Sequence, residues 1–349
     1  MSKQWWKILA VLIMVFVIIA GLLIPLKPGI YTFSPTRVNP GQLQEISIVT
    51  YNTHLKTAKN NQVWLKLPDD QLIAAHSINI LSENQLKASF LITDNYSRLK
   101  DRDRSLTLIV DNEIDGYTLY PSAIRLGQSN TLASTPQKLQ QLDQVNDVDS
   151  FRFPYRPILH ETIRNTFFHV AIWFAMFILL IVSCVHSVKY LMTRNMISDT
   201  KSSALTTVAL YFGIAGILTG SMWAKYTWGT FWTSDIKLNM SAVALLVYFA
   251  YWLLRSSISD IDTRARVSAV YNIFAFVTLM ILVMVIPRFT DSLHPGNGGN
   301  PALGGEDLDN TLRVVFYPAI IGYTLLGLWI SQLYFRYLCL QDKYLLSEY

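Results

Sequence analysis

Cysteine is scarce in this 349-residue chain, which has only Cys184 and Cys339. Both fall in apolar stretches near the side read below as cytoplasmic, where a structural disulfide is not expected. No CxxC or CxxCH occurs, which disfavours thiol exchange and covalent haem attachment on this chain. Charge is sparse as well, at 15% of residues, and the net +5 sits in short flanks of apolar segments, so it is a topology signal and not a nucleic-acid footprint. Walker A, HExxH, GxSxG and dinucleotide fingerprints are all missing, so the chain is not read as an enzyme. Any nucleotide hydrolysis belongs to a partner.

Apolar residues, by contrast, are abundant at 51%. Six stretches stand out, approximately residues 5–26, 166–188, 204–222, 238–254, 267–287 and 312–333, each near the length that crosses a hydrocarbon core. The expected fold is a membrane bundle of six transmembrane helices with an all-β immunoglobulin-like sandwich inserted outside the membrane. The boundaries read as an anchor over 1–29, a β-sandwich over 30–126, a polar linker over 127–159, a five-helix membrane domain over 160–335 and a tail over 336–349. The first stretch is longer than a signal-peptide core, and Pro25-Leu26-Lys27-Pro28 makes no small-residue cleavage site, so it reads as a retained anchor.

Lys3, Lys7, Lys189, Arg194, Lys201, Arg255, Arg264, Arg266, Arg336 and Lys343 flank one side of these stretches, against Lys225, Lys237, Arg288 and Arg313 in the short loops opposite. The excess places both termini in the cytoplasm. The sandwich, an aromatic loop and the segment 288–311 then share the outer face.

Between the first two stretches the period changes from helical to alternating. Ile46, Ile48 and Thr50; Val63, Leu65 and Leu67; Leu86, Ala88, Phe90 and Ile92; and Leu106, Leu108 and Val110 each mark one face of a half-buried strand. Pro40-Gly41, Pro68-Asp69-Asp70 and Asp115-Gly116 supply the turns. The run FSPTRVNPGQ resembles an IPT/TIG module, a docking or spacer type of domain. His54 and His76 lie here with no second ligand at metal spacing, and read as surface histidines. Residues 127–152 are polar and read as the most mobile segment, with one short helix.

Trp223, Tyr226, Trp228, Phe231 and Trp232 crowd into ten residues of SMWAKYTWGTFWTSD. Two readings stand open: an interfacial aromatic belt or a platform for a flat ligand. Continued as a helix, the stretch would put Trp228, Trp232 and Asp235 on one face of a short surface helix. Two histidines share that location, His169 at the start of the second span and His294 after the fifth. Each alone reads as an interfacial side chain; together they match the two axial ligands that haem iron takes from opposite faces of the macrocycle. His160 competes only if the second helix begins early, and His186 lies roughly 25 Å further along that helix. Gly213, Gly216 and Gly220 fall on small-residue spacing, read as helix packing.

The stretch TGSMWAKYTWGTFWTSDIKLN resembles the tryptophan-rich WGxWWxWD signature of the CcmC/CcsA-like haem-handling proteins of cytochrome c maturation. Thr219, Gly220, Ser221, Trp223, Trp228, Gly229, Thr230, Trp232, Asp235 and Leu238 stand where that pattern has the same residues. The layout of six spans, with His169 and His294 in similar contexts, is similar to the haem exporter protein C family (CcmC) over residues 160–335. Phe231 and Ser234 replace two family tryptophans, Lys237 an arginine, Asn239 a threonine and Ala171 a proline, and compact family members lack the inserted β-domain.

The resemblance implies a protein of the bacterial inner membrane that holds haem b transiently at the outer face, with His169 and His294 as axial ligands and no other metal. Trp223, Trp228, Phe231, Trp232 and Asp235 would form the platform, and Lys225, Lys237 or Arg288 would pair with the propionates. A periplasmic CcmE-like haem chaperone would receive the haem, with ABC transporter subunits as further partners. The alternatives are a permease subunit exporting haem with an ABC ATPase, expected to line its midplane with polar groups, and a non-catalytic assembly scaffold.

Overall fold

The computed structural model describes residues 4–67, 71–92, 105–127, 139–140, 146, 148, 151–294 and 308–347. Two compact units share the chain, Pro25–His160 and a helical unit made of Met1–Ile24 with Glu161–Tyr349. The chain therefore leaves the helical unit after its first helix, builds the β unit, and returns.

The β unit is a sandwich, as its alternation predicts. One sheet has the order β1-β3-β7-β6, from Gly29–Ser34, Leu43–Tyr51, Gln85–Leu91 and Ser77–Ser82. The other runs β10-β5-β4-β8-β9-β2, from Leu139–Gln140, Leu72–Ala74, Gln62–Lys66, Ser105–Asn112, Gly116–Leu126 and Arg37–Val38. Ile46, Ile48, Leu86, Ala88 and Phe90 of the first sheet share one core with Val63, Leu65, Leu106, Leu108 and Val110 of the second. Every inward position expected from the period of 2 is buried. The alternation does not reveal a second cluster, Trp64, Leu72 and Ile109, buried on the opposite face of the six-stranded sheet. The segment read as a linker is partly structural: Leu139–Gln140 pairs with β5, and the Asn146 amides donate to buried Asp111. Its expected helix and mobility lie outside the described residues.

Among the described residues the helical unit holds six helices long and apolar enough to cross a membrane: α1 (Trp5–Leu23), α2 (His169–Thr193), α3 (Met196–Trp228), α4 (Ile236–Ser257), α5 (Ile261–Met280) and α6 (Asn310–Ser347). Several exceed the apolar runs that announced them. The span ahead of α6 ends irregularly, since a π-helical turn over Ile281–Val285 and a 3-10 turn over Ile286–Arg288 extend α5. Pro287 lies in that last turn and cannot donate to a continuing helix. α6 contains Pro318 yet continues to Ser347, so the residues read as a tail prolong a helix.

Polar side chains define how the ends are made. Asn195 caps α3 by accepting from the Ile197 amide at 2.9 Å, Asp260 caps α5 through the Thr263 amide at 2.8 Å, and Asp309 caps α6 through the Leu312 amide at 2.9 Å. A 3-10 helix over His160–Phe167 precedes α2, and its Arg164 donates to the carbonyls of Gly21 at 2.9 Å and Ile24 at 2.7 Å. These are orphan acceptors at the end of α1, so one guanidinium ties the first helix to the later ones.

Inside the bundle, Asn272 of α5 donates from its amide nitrogen to Ser183 and Ser187 of α2, both at 2.9 Å. Ser183 in turn contacts Thr206 at 2.6 Å, and Ser187 contacts Ser202 at 2.8 Å. The Asn272 amide nitrogen and these hydroxyls are thus bonded to one another across three helices, while Asn272 Oδ1 is buried with no partner among the described residues. Asp199 of α3 and Arg255 of α4 form a bidentate pair at 2.8 and 2.6 Å, with both side chains largely buried. Breaking one member strands a charge in low dielectric. Asp199→Ala or Arg255→Ala alone is expected to lower stability by about 3–5 kcal/mol. Joint replacement by leucine and methionine is expected to recover most of that loss, and thermal unfolding of the detergent-solubilised chain checks it.

Candidate functional site

The aromatic stretch does not continue as a surface helix. α3 ends at Trp228, and Gly229, at φ 85°, caps it by returning its N–H to the Lys225 carbonyl at 3.1 Å. That left-handed backbone suits glycine because no Cβ meets the carbonyl. Residues 229–235 then form a loop, and α4 starts with Asp235 as its cap. Trp228, Trp232 and Asp235 consequently do not form a helical stripe. Trp228 and Asp235 nevertheless meet, around His294.

The His294 imidazole lies 3.0 Å through Nδ1 from Asp235 Oδ1, and its ring packs edge-on to Trp228 at 5.1 Å and 69°. The carboxylate also accepts from the Lys237 amide at 2.9 Å, the Leu293 amide at 2.7 Å and the Ser292 hydroxyl. Asp235, 7% exposed, thereby joins the start of α4 to the segment Phe289–His294, which has neither helix nor strand. It stands behind the histidine instead of forming a flat surface.

His169 is placed differently. As the first residue of α2, it lies through Nδ1 at 3.0 Å from the Gly216 carbonyl and 3.1 Å from the Thr219 hydroxyl. The Thr219 hydroxyl itself donates to the Ala215 carbonyl at 2.8 Å. Its ring meets Trp223 at 5.8 Å and Trp173 at 6.4 Å, both edge-on. Gly220 faces it directly, since a Cβ there would stand 2.6 Å from the imidazole Cε1. A Cβ on Gly216 would come 2.8 Å from the Trp173 indole. Of the glycines read as helix packing, Gly213 packs against Leu245 and Met176, whereas Gly216 and Gly220 make room for this histidine and its neighbouring tryptophan.

Both histidines pack on the C-terminal part of α3, His169 against Gly216 and Thr219 and His294 against Trp228, its last residue. Each Nδ1–H has an acceptor, which leaves each Nε2 lone pair for a ligand. Among the described residues no three His, Cys, Asp or Glu side chains stand together as a metal site. Two imidazoles are too few to hold a bare ion, but they suit haem iron, whose remaining four ligands come from the macrocycle.

The tryptophans divide between the two histidines, Trp223 beside His169 and Trp228 beside His294. Phe231 and Trp232 are exposed at 60% and 41% and make no ring contact with either imidazole among the described residues. Lys225 donates to the Gly229 carbonyl at 3.0 Å and lies over the Phe231 ring, while Lys237 acts electrostatically on His294. Arg288 is exposed and forms no ion pair among the described residues. His160 belongs to the β unit, where it contacts the Tyr155 hydroxyl at 2.8 Å.

Several supporting residues escaped sequence reading: Thr162, which accepts from the Trp223 indole N–H at 3.1 Å; Asn165, which donates to the Thr219 carbonyl at 3.1 Å; and Trp173. None lies in a motif. Only the helical offset of Trp173, four residues after His169, pointed toward the site.

Burial holds the His294 pKa below the ordinary range of about 6.5, the Lys237 charge adding to the effect and Asp235 opposing it. Burial also acts to raise the Asp235 pKa, but donors from Leu293 and Ser292 and the charge of His294 outweigh it, so the net shift is downward. Below pH about 6.5 the unfolded chain binds a proton at His294 that the folded site resists, so stability falls on acidification. The contribution of Asp235 is full above pH about 3.9 and is lost as its carboxylate protonates. The site is expected to loosen progressively as pH drops from 7 toward 4, read by tryptophan fluorescence. Gly220→Ala is expected to displace the His169 ring and cost about 1–3 kcal/mol through overpacking, read by thermal unfolding.

Comparison with known proteins brings the same region forward. Heme exporter protein C of Bradyrhizobium diazoefficiens is 26% identical over 166 residues, covering 47% of this chain and 62% of that protein. The corresponding protein of Paracoccus denitrificans is 24% identical over 167 residues, covering 48% and 69%. That of Escherichia coli strain K12 is 25% identical over 138 residues, covering 40% and 54%. The chain thus spans roughly half to two-thirds of the length of these relatives. The family described as heme exporter protein C (CcmC) matches residues 154–345, which include both histidines, the aromatic loop and the five helices that carry them, and the chain belongs to that family.

Proposed function

We propose that the chain is a haem-handling membrane protein of cytochrome c biogenesis, which binds haem at the outer membrane face and delivers it to a periplasmic, CcmE-like haem chaperone. What supports this reading is that His169 and His294 both pack on the C-terminal part of α3, each with Nδ1 engaged and a tryptophan alongside. Both imidazoles present Nε2 as a neutral donor, the form that iron requires. The cargo is haem b, held reversibly through two axial bonds, and no residue here needs to make or break a covalent bond. The protein is accordingly read as non-enzymatic.

Exposed Phe231 and Trp232 supply apolar surface for the porphyrin edge, and Lys225, Lys237 and Arg288 supply cations for its propionates. Lys225 must first release the Gly229 carbonyl. The lysine and arginine asymmetry supports an inner-membrane location with both termini in the cytoplasm and the β-sandwich in the periplasm. The sandwich then serves as a docking module, and ABC transporter subunits are the expected membrane partners.

Surface handling is favoured over conduction by the interior of the bundle. Asn272, the clearest polar residue of the spans, spends its amide nitrogen on Ser183 and Ser187, an arrangement suited to helix association and not to a polar path. The full-length protein, purified in detergent from haem-replete cells, is expected to show a low-spin Soret band. His169→Ala and His294→Ala are each expected to lose that form and most of the bound haem. A Soret band unchanged in both variants would sink the ligand assignment.

A further inference from the structure

We infer that Asp235 is a positioning residue for haem ligation, orienting His294 through Nδ1 and making the two axial imidazoles chemically unequal. This rests on the haem reading given above. The two Nδ1 partners differ in kind. His169 faces neutral acceptors, the Gly216 carbonyl and the Thr219 hydroxyl, whereas His294 faces a carboxylate at 3.0 Å.

That carboxylate is held in place without help from the histidine. The Lys237 and Leu238 amides fix Oδ1 at 2.9 and 3.4 Å, and the Leu293 amide fixes Oδ2 at 2.7 Å. The Asp235 side chain is 1% exposed, against 26% for His294. A charged acceptor on Nδ1–H raises electron donation from Nε2, and a stronger donor favours ferric over ferrous iron. A neutral acceptor does so less. His169 is also confined by the helix, by Gly220 and by two indoles, while His294 sits on a segment without helix or strand that Asp235 holds through the Leu293 amide and the imidazole itself. Asp235 therefore governs both the aim and the strength of the second ligand.

The same residue caps α4, so the test must separate capping from ligand support. Asparagine keeps an acceptor for the cap and for Nδ1–H but removes the charge and the acceptor of the Leu293 amide. Serine keeps a cap for the helix but is too short to hold the imidazole. The full chain is purified from haem-replete cells as wild type, Asp235→Asn, Asp235→Ser and His294→Ala, and each is followed by absorption, electron paramagnetic resonance, reductive titration and thermal unfolding. For Asp235→Asn the expected result is a retained low-spin spectrum with the midpoint potential shifted upward. For Asp235→Ser it is a high-spin fraction approaching that of His294→Ala and a loss of bound haem of about tenfold or more, with thermal unfolding near that of Asp235→Asn.

An unshifted potential in Asp235→Asn together with a wild-type spectrum in Asp235→Ser would overturn the inference while leaving bis-histidine binding intact. Should Asp235→Ser fail to fold, the potential of Asp235→Asn decides alone. Wild-type protein without haem would overturn the haem reading and this inference with it.

Discussion

One carboxylate holds the candidate site together. Asp235 closes the exposed start of α4, accepts from the backbone of Leu293 and contacts the imidazole of His294. These groups are 58 and 59 residues distant along the chain, and among the described residues no other side chain is bonded to all three. A carboxylate suits the task because it offers about four acceptor directions and because the positive end of a helix dipole stabilises its charge. The reach of Asp235 therefore sets where the second histidine can stand.

The first histidine relies on the opposite strategy, shape instead of charge. Gly216 and Gly220 lower the surface of α3, so that Trp173 and His169 of α2 can press against it. Thr219, between them, accepts from the imidazole while bonding back to its own helix. The 3-10 helix ahead of α2 completes the arrangement, with Thr162 holding the Trp223 indole, Asn165 reaching α3 and Arg164 closing α1. A buried neutral cradle and an anchored carboxylate thus present two imidazoles of different character at one end of the bundle.

The inserted sandwich is compatible with this architecture because it neither begins nor ends the bundle's own packing. α1 rejoins the later helices through Arg164 and through Gly322, where a Cβ would stand 2.9 Å from Ile13. The β unit has its own two-sheet core. An insertion between two elements that remain packed disturbs the host little, which agrees with family membership confined to residues 154–345.

Composition and periodicity were enough to reveal the spans and the strand faces, since a hydrocarbon core requires long apolar runs and a sandwich requires a period of 2. The positions of His169 and His294 beside an aromatic loop were legible for the same reason: span boundaries place residues by depth. What those residues do to each other was not legible. Trp228 and Asp235 looked like neighbours on a helix, yet Gly229 breaks that helix and the loop brings them together around His294 instead. Of the three glycines that read as packing, Gly213 does pack on Leu245 and Met176, while Gly216 and Gly220 make room for Trp173 and His169, and Asp235 changes from a platform residue to the partner of His294. Hydrogen-bond partners separated by dozens of residues leave no periodic trace, so only the tertiary structure could decide them.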